Sequence, residues 1–265
     1  METREILAER SYDELIDLLL WFHHQGPVPI IIGGWAVYCY NSYMGSVDID
    51  LVGPSMGGLF DATLEGFERE RGYEAVATGP LFLGASFRKP IIESGELRGY
   101  MEIDACTFEA DRRVFKENAA KELPYEICRR EDMLTPVSLG PNCEAYIPHK
   151  ALLFLYKLKA LRDRRHDLEE EVAVMSRERA EWLRAKIVKD GSDLISLLDP
   201  SPAPCIIEQK MDSALLRELI SEYDLAFCIE SIKSLPAMDL SLRQYRNVDP
   251  EDVNEWVTSL INEIE

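Results

Sequence analysis

Ile30-Ile-Ile-Gly-Gly-Trp35, followed by Ser46-Val-Asp-Ile-Asp-Leu51, decides how this chain is read. The β-branched run over 28–32 predicts a short buried strand. Gly33 and Gly34 end it, and the apolar residues 35–44 predict a helix that begins at once. Thirteen residues separate Gly34 from Asp48. Residues 46–52 then predict a second strand, closed by Gly53-Pro54. Side chains two apart in a strand share a face. Asp48 and Asp50 therefore project together, while Val47, Ile49 and Leu51 face the core.

Each part of this pattern has a chemical use. Glycine lets backbone approach a ligand closely. A helix N-terminus behind it offers free N–H groups and the positive end of a dipole to a phosphate. Ser46, at the head of the second strand, joins Gly33 and Gly34 as a candidate nucleotide contact. Two carboxylates on one face repel unless a cation sits between them, and hard oxygen donors suit magnesium shared with substrate phosphates. A pair of such ions about 3.5–4 Å apart clamps the attacking and leaving oxygens of an in-line transfer. That arrangement needs a third carboxylate. The predicted strand 100–108 places Tyr100, Glu102 and Asp104 on one face, with Asp104 the first choice and Glu102 the reserve. A lone Asp-x-Asp is most often a solvent-facing pair and a lone Gly-Gly a turn. Strand, diglycine, helix, strand and Asp-x-Asp in order, with a later acid, is far more specific.

The remaining pattern places these strands in a larger fold. Ser11-Tyr-Asp-Glu14 reads as a capping box opening a helix to about residue 24, with Leu15, Leu18, Leu19 and Phe22 at helical spacing. Residues 56–71 read as a helix capped by Gly72. Further strands are expected over 73–77, 85–92 and 100–108, and a hairpin over 136–148 turned at 140–142. Helices follow at 149–163, 178–198, 212–223 and 249–264, the last with Pro250 at its first position. The fold class is α+β: a mixed sheet flanked by helices over 1–148, then a helical domain over 149–265 with a proline-rich linker near 199–205.

The chain has 265 residues, with 29 basic and 48 acidic side chains and a net charge of −19. Residues 1–148 carry −12, 149–189 carry +4 and 190–265 carry −11. A broad duplex-binding face needs cations to replace phosphate counterions, so any nucleic-acid or nucleotide contact is local. The bland reading of the basic stretch is a solvated helical face. Six scattered cysteines without a Cys-x-x-Cys pair read as reduced core residues of an intracellular, cytoplasmic protein. No apolar run reaches the roughly 18–20 residues needed to span a bilayer, and the start of the chain lacks the marks of a signal peptide.

The Gly33-Gly34 and Asp48-Ile-Asp50 pattern resembles the signature of the nucleotidyltransferase superfamily that includes DNA polymerase beta, the antibiotic nucleotidyltransferases and the minimal nucleotidyltransferases. A second stretch sharpens the likeness. Leu152-Leu-Phe-Leu-Tyr-Lys-Leu-Lys-Ala-Leu-Arg-Asp-Arg164, with Lys186-Ile-Val-Lys-Asp-Gly-Ser-Asp-Leu-Ile195, resembles the helical motif of AbiEii-type nucleotidyltransferases of abortive-infection and toxin–antitoxin systems. The counterparts are Lys157, Arg164, Lys189, Asp190 and Asp193, with Arg162 the alternative to Arg164 across the long insert 165–181. The resemblance covers roughly 28–198.

It implies a transferase that binds a nucleoside triphosphate such as ATP, with Mg2+, between sheet and helical domains. Asp48, Asp50 and Asp104 would bind two ions, and the third carboxylate would help deprotonate the attacking hydroxyl. Lys157 and Lys189 would neutralise the triphosphate as point charges, with Asp190 and Asp193 holding the cations in place; an ordinary helical ion-pair network is the plainer reading. Trp35 is a candidate wall of a nucleotide pocket and equally a core residue opening an apolar helix. The acceptor is open among an RNA end, a protein hydroxyl and a small molecule. The rival expectation is an inactive binding module of the same fold that engages a partner protein through its acidic surface.

Overall fold

A computed structural model of the protein describes residues 2–76, 84–93, 95–109, 112–171 and 174–265. It resolves into two compact units, Met1–Arg112 with Pro124–His149, and Arg113–Leu123 with Lys150–Glu265.

The first unit opens with α1 (Glu2–Gln25), which runs through Ser11 instead of starting there. The expected capping box is therefore corrected. Ser11 is fully buried within the helix, and its Oγ accepts a hydrogen bond from Trp35 Nε1 at 3.1 Å. Residues 5–10, with Glu, Leu, Ala and Arg, have enough helix propensity to extend the segment upstream. Leu15, Leu18, Leu19 and Phe22 are all buried, as their spacing predicts.

Next come β1 (Ile30–Ile32), α2 (Gly33–Tyr40), β2 (Ile49–Gly53) and, after a 3-10 turn at Met56–Gly58, α3 (Leu59–Arg71). Gly72 caps α3 in the left-handed conformation. Strands β3 (Glu74–Ala75), β4 (Ala85–Glu93) and β5 (Glu96–Thr107) follow. Of the strand expected at 73–77, Ala77 lies outside the described residues. The hairpin β8 (Leu134–Ser138) and β9 (Glu144–Pro148) completes a seven-stranded mixed sheet of order β3-β4-β5-β2-β1-β9-β8. β2 runs parallel to β5 and antiparallel to β1.

One face of this sheet is apolar. Ile49 and Leu51 of β2 and Met101, Ile103 and Ala105 of β5 are buried. Helix α1 lies against α3 and β5. Lys89, the register partner of Met101, reaches Glu14 of α1 at 3.3 Å. The even-numbered residues of β5 take the opposite face. Phe22 and Phe60 meet at 5.4 Å between ring centres, and Trp21 Nε1 donates to the Thr63 carbonyl at 2.9 Å, so α1 and α3 are joined by both packing and polarity.

The second unit begins with an insertion. β6 (Val114–Phe115) and β7 (Asn118–Glu122) form a hairpin that the division of the sequence at 148/149 left with the sheet. Phe115 is buried edge-on to Phe227 at 5.1 Å, and Lys116 Nζ donates to Asp167 at 2.7 Å. Helices α4 (Lys150–Glu171) and α5 (Arg177–Leu198) follow, and the charged stretch after 163 is helical through Glu171. Ser176 caps α5, its side chain accepting from the Arg179 N–H. Then come α6 (Ser213–Glu222), the short α7 (Ile229–Lys233) and α8 (Asp239–Gln244), and α9 (Pro250–Ile264). Asp249 caps α9, with Pro250 at its first position as the sequence predicts. The fold is thus mixed α/β, with helices at its C-terminal end. Among the described residues no helix is long and apolar enough to cross a membrane. Five of the six cysteines are buried, Cys205 being half-buried, and all six are free thiols.

Candidate functional site

The carboxylates of the first unit are brought together by strand register. Asp50 and Asp104 are direct partners across the parallel β2–β5 pair. Ser86 of β4 lies opposite Asp104 on its other side, and Ile32, the last residue of β1, lies opposite Asp50. Immediately after Ile32 the chain turns at Gly33, whose φ is 66°. A Cβ built on Gly33 would lie 1.9 Å from Asp50 Oδ2. The glycine is required twice: for the left-handed backbone and for the space the Asp50 carboxylate occupies. Gly34 is buried in the first turn of α2.

Asp48 differs from the expectation in one respect. The strand starts at Ile49, not at residue 46. β1 is three residues long and ends in register with Asp50, and the β2–β5 pairing begins at Ile49. Asp48 thus lies just beyond the ladder, half-buried, and Ser46 is buried two residues earlier.

The electrostatics are those of crowded like charges. Burial, and then the Asp50 carboxylate, push Asp104 up to about 6; Glu102 and Asp48 add to the rise and a hydrogen bond with Ser86 opposes it. Asp104 therefore feels three other acids, Asp50 and Glu102 on the strands and Asp48 just beyond them. Ser86 is the member that reasoning from sequence missed. Its signal was available: it alternates in phase with Arg88 on β4. Among the described residues no group of three or more His, Cys, Asp or Glu is arranged to hold a metal ion. A cleft of about 520 Å³ opens elsewhere in this unit, lined by α3, β4 and the end of β5, and contains none of Asp48, Asp50 or Asp104. Trp35 is buried, bonded to Ser11 and packed 5.4 Å from Tyr12 and 5.3 Å from Tyr38. Of its two readings, core residue is the one observed.

In the second unit, all five residues of the helical motif meet in one cluster. Lys157 Nζ lies 2.6 Å from Asp193 Oδ2 and 3.9 Å from Asp190 Oδ1. Lys189 Nζ donates to Asp193 at 2.9 Å, and Arg164 pairs with Asp190. Lys157 and Arg164 are seven residues, or about two turns, apart on α4, so one stripe of α4 faces the aspartates of α5. Lys157, Asp190 and Asp193 are buried. Burial lowers the Lys189 pKa, Lys157 lowers it further, and Asp193 opposes both. Arg162 points elsewhere: it pairs with Glu117, donates to the Phe227 carbonyl at 3.1 Å and covers the Phe227 ring at 4.9 Å. Of the two arginines, Arg164 is the one in the cluster, while Arg162 anchors the inserted hairpin.

Compared with family models, the chain matches none, and comparison with curated proteins likewise gives no match.

Proposed function

We propose that the protein is a magnesium-dependent nucleotidyltransferase of the nucleotidyltransferase-like fold. The observation that carries this reading is the register pairing of Asp50 with Asp104 beside a glycine turn that has room only for the Asp50 carboxylate. The donors are all hard carboxylate oxygens, which fit magnesium and not the softer transition metals. The upward push on Asp104 from neighbouring acids is a cost that a cation relieves. Asp48, Asp50 and Asp104 would hold the metal. When bound, magnesium neutralises the triphosphate and the departing pyrophosphate.

The chain's own residues do the rest. An acceptor hydroxyl attacks the alpha phosphorus, a new O–P bond forms, and the bond to the beta-phosphate oxygen breaks to release pyrophosphate. Asp104, as the third carboxylate, would help take the hydroxyl proton. The Gly33 turn and the start of α2 present backbone N–H groups to the outer phosphates. The helical unit carries phosphate-type chemistry of its own, with three cations against two carboxylates among Lys157, Arg164, Lys189, Asp190 and Asp193. The acceptor is a hydroxyl on an RNA end, a protein or a small molecule.

The test is to incubate the protein with each labelled triphosphate and a total-RNA or lysate extract. Label transferred in a magnesium-dependent way, and lost in Asp48→Ala and Asp50→Ala, supports the reading; transfer retained by both variants removes it. One observation favours a second reading, a non-catalytic binding module: no three acidic ligands converge among the described residues. Absence of any calorimetric signal with magnesium and triphosphate would select it.

A further inference from the structure

We propose that the solvent-facing half of α5 is a docking surface for an acidic segment of a partner protein, anchored on Trp182. The inference is independent of the chemistry assigned to the sheet.

Helix α5 changes character along its length. From Asp190 to Leu198 every residue is buried, whereas in its first half only Ala180 and Leu183 are. Trp182 is left 43% exposed there, on a side chain that water normally drives inward. Two cations lie over it, Arg179 at 4.3 Å from the ring and Lys186 at 5.5 Å, while of the nearby acids Glu181 is paired with Arg177. Arg179, Trp182 and Lys186 are spaced three and four apart and therefore form one stripe. The only basic stretch of this acidic chain, +4 over 149–189, runs through it. Val174, two residues ahead of the Ser176 cap, is 87% exposed and adds an apolar contact at the same end.

The arrangement selects among ligands. Nucleic acid would use Trp182 as a stacking platform. Arg179, a turn before the ring, and Lys186, a turn after it, already flank it. A base would have to displace one of them. A carboxylate on each side of an apolar side chain instead complements the two positive charges and keeps the ring as the apolar centre, the arrangement of an aromatic hot spot within a charged rim. Arg179 and Lys186 are seven residues apart, a separation of about 10 Å along the helix. Matching carboxylates lie seven apart in a helical partner, or two or four apart in an extended one, the even separation that keeps both on one face.

The experiment is selection of a random peptide display library on the full-length protein at physiological salt, followed by anisotropy titration of the winning peptide. Enriched sequences are expected to carry two acids at one of those spacings around an apolar residue. Trp182→Ala, and separately Arg179→Glu with Lys186→Glu, should weaken the winning peptide about tenfold or more. Trp182 and Arg179 are exposed and Lys186 is half-buried, so the thermal midpoint of each variant is measured alongside, and Trp182→Ala should leave it unchanged. Enrichment without that acidic pattern overturns the proposal, as does affinity indifferent to both variants. Single-stranded oligouridylate binding that depends on Trp182, or self-association lost in Trp182→Ala, would assign the surface to a different occupant and likewise overturn it.

Discussion

The two charged clusters of this protein are built on opposite principles. On the sheet face, Asp48, Asp50, Glu102 and Asp104 are charges of one sign, and Asp104 is pushed up to about 6 by burial and by its neighbours. In the helical unit, Lys157, Arg164 and Lys189 close on Asp190 and Asp193, each carboxylate meeting two cations. Strands hold Asp50, Glu102 and Asp104 together despite repulsion, which under the proposed function a cation relieves. Attraction holds the second set together, and its removal should be felt first as lost stability. Net charge alone would treat both clusters as polar; the sign pattern separates them.

The contrast breaks most sharply under substitution. Asp50→Ala should lower magnesium-dependent nucleotide transfer by about a thousandfold, with circular dichroism unchanged. Asp193→Ala should do the reverse: it leaves Lys157 and Lys189 without their shared carboxylate, so stability should fall by about 3–5 kcal/mol, measured by urea unfolding. Gly33→Ala forces a side chain into the left-handed region and onto the Asp50 carboxylate. The expected loss is about 2 kcal/mol, read as a lower thermal midpoint.

The pH dependence is the most diagnostic. A carboxyl raised to about 6 in the folded state and near 3.9 unfolded stabilises the fold only while protonated. That stability is fully present below about pH 4 and lost as pH rises through about 6. Asp104→Asn should therefore be more stable than the parent at pH 7, by up to about 3 kcal/mol, with the difference shrinking on acidification. Calorimetric scans across that range check it, and added Mg2+ should raise the midpoint of the parent more than that of the variant.

Much of the sheet site was legible because strand alternation is rigid: once Ile49, Leu51, Ile103 and Ala105 are placed in the core, Asp50 and Asp104 have only one face left. The helical cluster was legible through the family resemblance, which paired residues about 30 apart in sequence. What stayed hidden depends on tertiary partners. Ser11 has the pattern of a cap, but Trp35 draws its hydroxyl into the interior. Asp48 has the pattern of a strand residue, but β1 turns away before reaching it. Residues 113–123 have no local mark of their destination; Phe115 belongs to the second unit because Phe227 and Lys159 receive it there. The exposed indole of Trp182 was equally invisible, since periodicity alone does not say where a helix leaves its core.

The central claim is that the paired acids beside the diglycine turn exist to hold a metal-bound triphosphate. Isothermal titration of a nonhydrolysable nucleoside triphosphate, with and without Mg2+, into the parent and into Asp50→Ala addresses it directly. Binding should require the ion and vanish in the variant. Equal heats from both proteins, or binding indifferent to Mg2+, would contradict it.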